Sequence, residues 1–387
     1  MKLRKWMDRA LCGMMVLLWG MLPAFAAAAR IEERSLELGE SRIAYPCVAG
    51  LEDAELEKKV NEQIQADGEI VRYLTRMSEL ISGGSLRVSW TGGLYGEDGI
   101  FSCGILAEGA VETARETSRW TCCNLDLADG RVIELADLFR DGPESLGRLG
   151  ELLEREIAPE MSPMLLNCQL APAPETFRLD ETGVTLLYPW DRLCTLGDRA
   201  GDVHLAWCEL GDLLNGAPDG IPARLGAARA LTLDEAGAGL IRETAALGRL
   251  PGIPASIGQA MKELTDQYHL LTDPDVYEGG RMFALEGGCF RKVYLLTDDL
   301  TEDWDQSRVQ GIRMDRGNVY GLCVGTTERE AWLAALGEPD DTVSIDAEKA
   351  ELNRTVPGSC DYYTCGAYQL RLTADERQVL SGIILTE

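Results

Sequence analysis

Residues 121–135 read TCCNLDLADGRVIEL, and this stretch is the strongest fold signal in the chain. Residues from Thr121 to Leu127 form a short run typical of a strand, and Asp129-Gly130 is a pair that favours a tight hairpin turn. The apolar pattern then resumes from Val132 to Leu135. The stretch therefore predicts an antiparallel β-hairpin.

Other predicted strands and helices surround this hairpin. Two strands are predicted before it, at residues 86–91 and 100–106, and three after it, before residue 208. Apolar residues at helical spacing predict one helix over residues 51–81 and another over residues 144–157. Together these elements predict an α+β, mixed sandwich-like domain over residues 30–214.

The remainder of the chain predicts a linker and a second domain. Residues 215–250 shift toward Gly, Ala, Pro and Arg, which is typical of a linker, here helical between Leu233 and Leu247. Residues 251–387 contain the same order twice, a helix followed by strands, over about 252–315 and 317–387. A repeat of this size needs a neighbour to bury its apolar face.

Three pairs of short motifs define this internal repeat. The pairs are Ile257-Gly258 with Val324-Gly325, Tyr277 and Gly280 with Tyr363 and Gly366, and Gly311-Ile312 with Gly382-Ile383. They predict a tandem domain built from helices and antiparallel sheets. The whole chain is therefore expected to be α+β.

The first 29 residues have the composition of a secretory signal peptide. A basic start containing Lys2 and Arg9 precedes an apolar run from Leu11 to Phe25, and small residues follow at 26–29. The run is shorter than the roughly 20 residues that span a bilayer. We expect cleavage and a secreted or cell-envelope location, with membrane contact only if this segment is retained.

The charge of the chain restricts its partners. It has 37 basic and 64 acidic residues, a net charge of −27, and loss of the basic leader deepens that charge. Such a surface repels nucleic acid and attracts basic molecules. We expect no nucleic-acid partner and favour a basic protein or a cell-wall polymer.

Cysteine is frequent, but its spacing defines no disulfide framework. The chain has 12 cysteines, without a CxxC pair or a zinc spacing. Cys103 could pair with Cys122 or Cys123, and Cys360 with Cys365. The alternative is that most are small buried residues.

The sequence offers little for catalysis. Its two histidines are His204 and His269. His204 could act as a general base near Cys208, but a structural role is the preferred interpretation. The acidic run at residues 298–305 could bind calcium or form a solvated loop. We expect no catalytic residue, no metal site and no cofactor.

Three motifs in residues 31–214 carry a family resemblance. They are Tyr45-Pro46-x-Val48-x-Gly50-Leu51, then Asn124-x-Asp126-Leu127-x-x-Gly130, then Gly183-Val184 with Trp207-x-Glu209-Leu210. Together they resemble the extracellular domain of RsiV-type anti-sigma factors, which also occurs in some peptidoglycan deacetylases. The resemblance implies an α+β domain without catalysis of its own. In RsiV-type proteins this domain is a receptor for lysozyme, a basic protein.

The sequence departs from that family in three respects. The loop that in the family runs through Ala-Pro-aromatic toward a glycine, and that lysozyme receptors use for contact, is here Cys194-Thr195-Leu196 with a longer path to Gly201. About ten residues precede the apolar run, which leaves no room for a sigma-binding segment, so no sigma factor is expected as a partner. The family's Gly-x-x-His element is also absent, since residues 116–123 contain no histidine.

The second domain resembles a different group. Val324-Gly325-x-Thr327 and Leu336-Gly337-x-Pro339 are similar to motifs in the tandem modules of β-lactamase inhibitor protein and of outer-membrane assembly lipoproteins. This resemblance implies protein binding through a sheet.

A ligand-binding surface is predicted beside the loop at residues 191–201. Aromatic residues are enriched where binding energy concentrates. Tyr188 has a second interpretation, as a core strand residue. The candidate binding residues are Tyr188, Trp190, Asp191, Thr195, Leu196 and Gly201.

We therefore expect a non-catalytic binding protein that recognises a basic, lysozyme-like protein or a cell-wall polymer such as peptidoglycan. One alternative is a hydrolase that acts on the wall through carboxylates. Another is an inhibitor of a secreted enzyme that uses the C-terminal repeat.

Overall fold

The computed structural model describes residues 29–387 except 81–83, 97–98, 112–116, 162–164, 167–168, 195–198, 254, 268–274, 278, 285–291 and 299–305. The predicted leader, apart from Ala29, lies outside the described residues. So do Thr195, Leu196, His269 and most of the acidic run. No helix among the described residues is long and apolar enough to cross a membrane.

The fold is α+β, which confirms the prediction of the class. Helices pack on two large sheets, one in an N-terminal part (residues 29–231) and one in a C-terminal part (residues 232–387).

A six-stranded sheet forms the centre of the N-terminal part. Its strands lie in chain order, and every neighbouring pair is antiparallel except the parallel pair β2–β3. The strands are β1 (Arg30–Leu38), β2 (Ser41–Ala49), β3 (Leu86–Tyr95), β4 (Ile100–Gly109), β5 (Thr117–Asp126) and β6 (Arg131–Val132).

Two helices cover one face of this sheet, α1 (Ala54–Asp67) and α2 (Ile70–Glu79). Asp53 caps α1 by accepting hydrogen bonds from the backbone of Glu55 and Leu56. The prediction of one helix over 51–81 was wrong, because Gly68 and the left-handed Glu69 (φ +51°) separate two helices. A β-carbon at Gly68 would crowd the Ile105 side chain and the Ile64 carbonyl oxygen, so glycine favours this close approach of the turn to the sheet.

The predicted hairpin is present, but its second strand is short. β6 ends at Val132, and Leu135–Leu138 forms a 3-10 turn instead of continuing the strand. Asp137 accepts a hydrogen bond from the Glu134 backbone (2.9 Å), which starts that turn. Local capping therefore overrides the apolar pattern.

The other face of the six-stranded sheet packs on a three-stranded sheet. Its strands are β7 (Phe177–Leu179), β8 (Gly183–Leu187) and β9 (Asp202–Ala206). Buried polar groups join the two sheets: Asn124 donates to the Phe177 carbonyl (2.9 Å), and the Leu179 amide donates to Ser102 (2.6 Å). This sheet shares its core with five short helices, α3 (Pro143–Leu152), α4 (Ala158–Met161), α5 (Trp207–Leu210), α6 (Ile221–Arg224) and α7 (Ala227–Leu231).

The segment expected as a linker is largely helical and packed. α6 and α7 contribute Ile221, Ala227 and Ala230 to the core of the N-terminal part. A third helix, α8 (Glu235–Ala246), spans the region predicted to be helical and packs Ile241 and Ala245 into the C-terminal core.

An eight-stranded antiparallel sheet forms the C-terminal part, in the order β10-β11-β12-β13-β19-β18-β17-β16. Helices α8, α9 (Met261–Gln267) and α10 (Arg329–Leu336) contribute to the core on one face, and α11 (Ala347–Leu352) follows β16. The strands are β10 (Asp275–Tyr277), β11 (Gly280–Ala284), β12 (Val293–Thr297), β13 (Gly311–Met314), β16 (Asp341–Ile345), β17 (Gly358–Cys365), β18 (Tyr368–Asp375) and β19 (Leu380–Thr386). A separate hairpin, β14 (Asn318–Val319) and β15 (Leu322–Cys323), joins the two halves along the chain.

The register of this sheet has an internal two-fold symmetry. At its centre Ile312 pairs with Leu385 and Met314 pairs with Ile383. A two-fold rotation that places β13 on β19 matches Ile312 with Ile383 and Met314 with Leu385. It therefore converts the first of these pairs into the second. The same symmetry relates the Leu295–Ile312 pair of the first half to the Leu372–Ile383 pair of the second.

One motif pair of the predicted repeat, Gly280 with Gly366, is not related by this symmetry. Gly280 begins β11, and its structural equivalent is Gly358, which begins β17. Both have a positive φ (+155° and +153°), and at both a β-carbon would overlap a carbonyl oxygen of the neighbouring strand. Gly366 lies instead in the next hairpin, so its pairing with Gly280 was wrong.

Candidate interaction surface

The structure places two of the predicted binding residues in the interior. Tyr188 is fully buried, its hydroxyl donates to the Leu170 carbonyl (3.0 Å), and burial raises the pKa of the hydroxyl. Gly201 is buried too, and its amide donates to the Leu193 carbonyl (2.8 Å). Tyr188 therefore has the core role that was its second interpretation, and Gly201 holds the loop closed.

The other predicted residues do not form one described surface. Trp190 is half-buried and Asp191 is exposed, directly after the end of β8. Thr195 and Leu196 lie outside the described residues, so the expected binding surface stays a prediction there.

A different surface lies on the eight-stranded sheet. Alternate residues of each strand point away from the helices, onto what we call the outer face. One row crosses five neighbouring strands in register: Tyr294, Arg313, Ile384, Arg371 and Tyr362. An arginine lies over a tyrosine ring near each end, Arg313 over Tyr294 (5.8 Å) and Arg371 over Tyr362 (5.3 Å).

The connection between β16 and β17 covers one end of this row. Arg313 is 4% exposed and donates to the carbonyl oxygens of Asn353 (2.7 Å) and Arg354 (2.5 Å), which follow α11. Its Nε also donates to Asp315 (2.7 Å). Arg313 is therefore a structural cation that holds this connection on the sheet.

The other end of the row is more accessible, and we call Tyr362, Gln369, Arg371 and Ile384 the open face. All four are half-buried, and Arg371 donates to Gln369 (3.1 Å). Burial raises the pKa of the Tyr362 hydroxyl, which stays neutral at physiological pH. The open face thus combines an aromatic ring, an aliphatic side chain and a guanidinium held on that ring.

Acidic side chains border the open face. Asp341 pairs directly with Tyr362 across the strands, and Asp340 precedes it; both are exposed. Hydrogen bonds from Thr364, one of them from its backbone amide (2.6 Å), hold the pKa of Asp340 below its usual range. Asp340 therefore stays ionised at neutral pH.

No group of three or more His, Cys, Asp and Glu side chains among the described residues could hold a metal ion. His204 lies between two hydroxyls, with Nδ1 3.1 Å from Thr185 and Nε2 3.3 Å from Thr182. Cys208 lies beyond the end of β9, in α5.

Comparison with known proteins gives structural similarities only. No protein-family model and no curated protein matches the chain. A DUF3298 family protein from Bacteroides fragilis is 14% identical with a TM-score of 0.41, over 52% of this chain and 98% of that one. A DUF3298 protein from Pseudomonas aeruginosa is 11% identical with a TM-score of 0.36, over 49% and 96% of the two chains. A DUF4309 protein from Bacillus subtilis is 13% identical with a TM-score of 0.27, over 40% and 97%.

These similar structures belong to families of unknown function. The RsiV-type resemblance of residues 31–214 stays a prediction.

Sequence reasoning missed the open face. Tyr362, Arg371 and Ile384 lie on three different strands, and no short motif joins them. The available signal was alternation, since each stands between two buried residues in the sequence. Only the register of the sheet shows that the three are neighbours.

Proposed function

We propose that this protein is a secreted or cell-envelope binding protein without catalytic activity, and that it binds a basic protein on the open face. The observation that carries the proposal is the juxtaposition of Tyr362, Arg371 and Ile384, side by side on adjacent strands, with Asp340 and Asp341 at their border.

The composition of the open face supports a protein ligand. Tyrosine and arginine are enriched among residues that dominate binding energy, and a polar border around a partly apolar centre is typical of protein interfaces. The stacking of Arg371 on Tyr362 restricts both side chains before binding. Less conformational entropy is then lost when a partner docks.

Charge supports a basic ligand. The net charge of −27 attracts cations over a long range, and the acidic border supplies local partners for lysine or arginine. The finer proposal, that the basic protein is a lysozyme, rests on the RsiV-type resemblance of residues 31–214, whereas the open face lies in the C-terminal part and by its composition supports a basic protein without specifying which one.

The test is isothermal titration calorimetry, in which lysozyme, as the basic probe, is titrated into the leaderless protein. The dissociation constant is measured at two salt concentrations. We expect measurable binding at low salt that weakens as salt rises, because the attraction is partly screened. Tyr362→Ala should weaken binding by about tenfold or more, as loss of an interface anchor does. Lys58→Ala is the control, since Lys58 is exposed on α1, and it should bind like the wild type.

Two results would contradict the proposal. One is lysozyme binding that Tyr362→Ala and Arg371→Ala leave unchanged. The other is retention on insoluble peptidoglycan without affinity for lysozyme, which would favour the cell-wall polymer as ligand.

A further inference from the structure

A short sequence motif lies in the connection between β16 and β17, directly after α11. Residues 351–355 read ELNRT, so Asn353, Arg354 and Thr355 form the Asn-x-Thr signal for attachment of a glycan to asparagine. The chain has six asparagines, and only this one begins such a signal. Glu351, two positions earlier, completes the longer acidic-x-Asn-x-Thr pattern that bacterial glycan transferases accept. The match is therefore more specific than the three-residue signal alone.

The motif occupies the turn that ends α11. The Thr355 amide donates to the Ala350 carbonyl (2.9 Å). The Arg354 amide donates to the Glu351 carbonyl (3.2 Å), and Arg354 has a left-handed φ of +52°. These two bonds and this φ define a common C-terminal motif of helices. The Asn-x-Thr signal is therefore held in one conformation at the end of a helix.

The backbone and the side chain of Asn353 have different surroundings. Its carbonyl oxygen accepts a hydrogen bond from the buried Arg313 (2.7 Å), which holds the turn on the sheet. Its side-chain Nδ2 donates to the Lys349 carbonyl of α11 (3.0 Å), and this bond lies at the protein surface. The atom that carries an N-linked glycan is therefore accessible, while the backbone of the same residue is anchored.

A glycan on Asn353 is compatible with this arrangement. It replaces one of the two hydrogens on Nδ2, and the remaining hydrogen can keep the bond to Lys349. Leu352 and Val356, on either side of the motif, are large apolar residues that are 51% and 44% exposed. A sugar ring that lies against them removes part of their apolar surface from water. The surroundings of Asn353 thus favour an attached sugar.

We infer that Asn353 is a glycosylation site, which receives an oligosaccharide from a lipid-linked donor once the chain has crossed the membrane. The modification places a bulky, solubilising group on the connection between β16 and β17. The inference rests on the extracytoplasmic location that is part of the proposed function. It does not depend on the ligand of the open face.

The donor is an oligosaccharide joined to a lipid through a diphosphate, and a membrane-bound transferase supplies the catalytic groups. Nδ2 of Asn353 forms a bond with the anomeric carbon of the first sugar. The bond between that carbon and the diphosphate oxygen breaks, and the lipid diphosphate leaves with the electron pair. One amide proton passes to a base, and no group is oxidised or reduced. The transferase recognises the Thr355 hydroxyl at the third position of the motif.

The test expresses the chain with its leader in two bacterial strains that both make the lipid-linked donor and differ only in the transferase. With the transferase, the intact mass should increase by one oligosaccharide, located by mass spectrometry on the peptide that contains Asn353. The N-terminal peptide of the same sample reports whether the leader was cleaved. An exported chain without added mass would overturn the inference and leave the proposed location intact.

An assay with purified components separates glycosylation from export. The folded full chain is mixed with the purified transferase and the lipid-linked oligosaccharide in detergent. Transfer to Asn353 is expected, because its side-chain amide lies at the surface. If the leader is not cleaved in cells, absence of transfer in this assay overturns the inference.

Three variants test whether the motif directs the modification. Asn353→Gln and Thr355→Val should lose the added mass completely, the second because valine has the shape of threonine without its hydroxyl. Thr355→Ser is the matched control and should retain the added mass, because serine keeps the hydroxyl. Circular dichroism checks that each variant is folded. Added mass that persists in Thr355→Val, or that lies on another asparagine, would contradict the assignment of this site.

Discussion

The two halves of the eight-stranded sheet share one register but have chemically different cores. In the first half, Met261 and Leu264 of α9 lie with Phe283 of β11 in an apolar core. Ala260 bridges to Arg308 before α9 as Glu328 bridges to Val379 before α10, so the symmetry extends to these helices. The equivalents in the second half are therefore Arg329 and Trp332 of α10 and Asp361 of β17. An apolar cluster has thus been replaced by an ion pair with an indole on the same backbone frame.

The second half must satisfy its buried carboxylate completely. Asp361 is 1% exposed and accepts four hydrogen bonds, two from Arg329 (2.7 and 2.8 Å), one from Trp332 (3.0 Å) and one from Thr342 (2.8 Å). A buried charge is tolerated only when it is paired and hydrogen-bonded in this way. The comparison shows that the same backbone arrangement determines which positions are buried, while the side chains at those positions can be either apolar or an ion pair.

The largest effect is expected when the ion pair loses one member. Asp361→Ala leaves Arg329 and the Trp332 indole without their acceptor, so the free energy of unfolding should fall by about 3–5 kcal/mol. Urea denaturation followed by circular dichroism measures it.

A triple variant tests whether the two cores are interchangeable. Arg329→Met with Trp332→Leu and Asp361→Phe copies the first half into the second and leaves no indole without an acceptor, so it should recover most of the stability lost in Asp361→Ala, to within about 1.5 kcal/mol of the wild type. A triple variant as unstable as Asp361→Ala would show that the second half cannot accept an apolar core.

A smaller effect is expected at the two symmetric glycines. Gly280→Ala and Gly358→Ala each introduce a β-carbon at positive φ against a carbonyl oxygen, so each should lower the free energy of unfolding by about 2–3 kcal/mol. Gly366→Ala is the matched control, because its β-carbon would meet Ala246 at ordinary contact distances of 3.4 Å or more. Gly366→Ala should lower the free energy of unfolding by less than Gly280→Ala or Gly358→Ala does. An equal loss at all three positions would contradict the special equivalence of Gly280 and Gly358.

The indole contribution should be smaller again. Trp332→Phe keeps the ring volume approximately and removes one hydrogen bond to a charged acceptor, so a loss of about 1.5–2 kcal/mol is expected. Trp207→Phe is the control, since the buried Trp207 donates to a neutral carbonyl, that of Glu181 (2.9 Å). Thermal unfolding of both variants should show the larger decrease for Trp332→Phe.

The smallest effect is the pH dependence that Asp361 contributes. Burial raises the pKa of this carboxyl, but hydrogen bonds from Arg329, Thr342 and Trp332 outweigh burial and leave the pKa below its ordinary value of 3.8. Because the folded pKa lies below the unfolded one, the stabilisation is present above about pH 4 and is lost as pH falls through the folded pKa.

The control for this pH dependence is Asp361→Asn, compared with the wild type in urea at a series of pH values between 2 and 7, as an approximate working range for carboxyl titration. The difference in unfolding free energy between the two proteins should shrink as the pH falls. A difference that stays constant across this range would show that Asp361 does not titrate with a lowered pKa.

The sequence contains enough information for the fold class but not for the alignment of the halves. Gly311-Ile312 and Gly382-Ile383 were matched from the sequence, and the register relates the same residues. Gly280 was matched with Gly366 because each glycine follows a tyrosine by three residues, at Tyr277 and at Tyr363. The register does not preserve this local spacing, since it relates Gly280 to Gly358.

Site residues were harder to predict than elements. Tyr188 and Trp190 are separated by one residue in the sequence, yet one is fully buried and the other half-buried. The row that contains Tyr362 and Ile384 depends on the long-range pairing of three strands. Local pattern carries no record of such contacts.

The central pairing of β13 with β19 also orders events during translation. Every other strand of the eight-stranded sheet precedes β19 in the chain, so β13 leaves the ribosome long before its neighbour exists. Until then the nascent first half presents a strand edge that can pair with other chains. Delivery of β19 is therefore the step that removes an aggregation-prone edge and joins the two halves into one sheet.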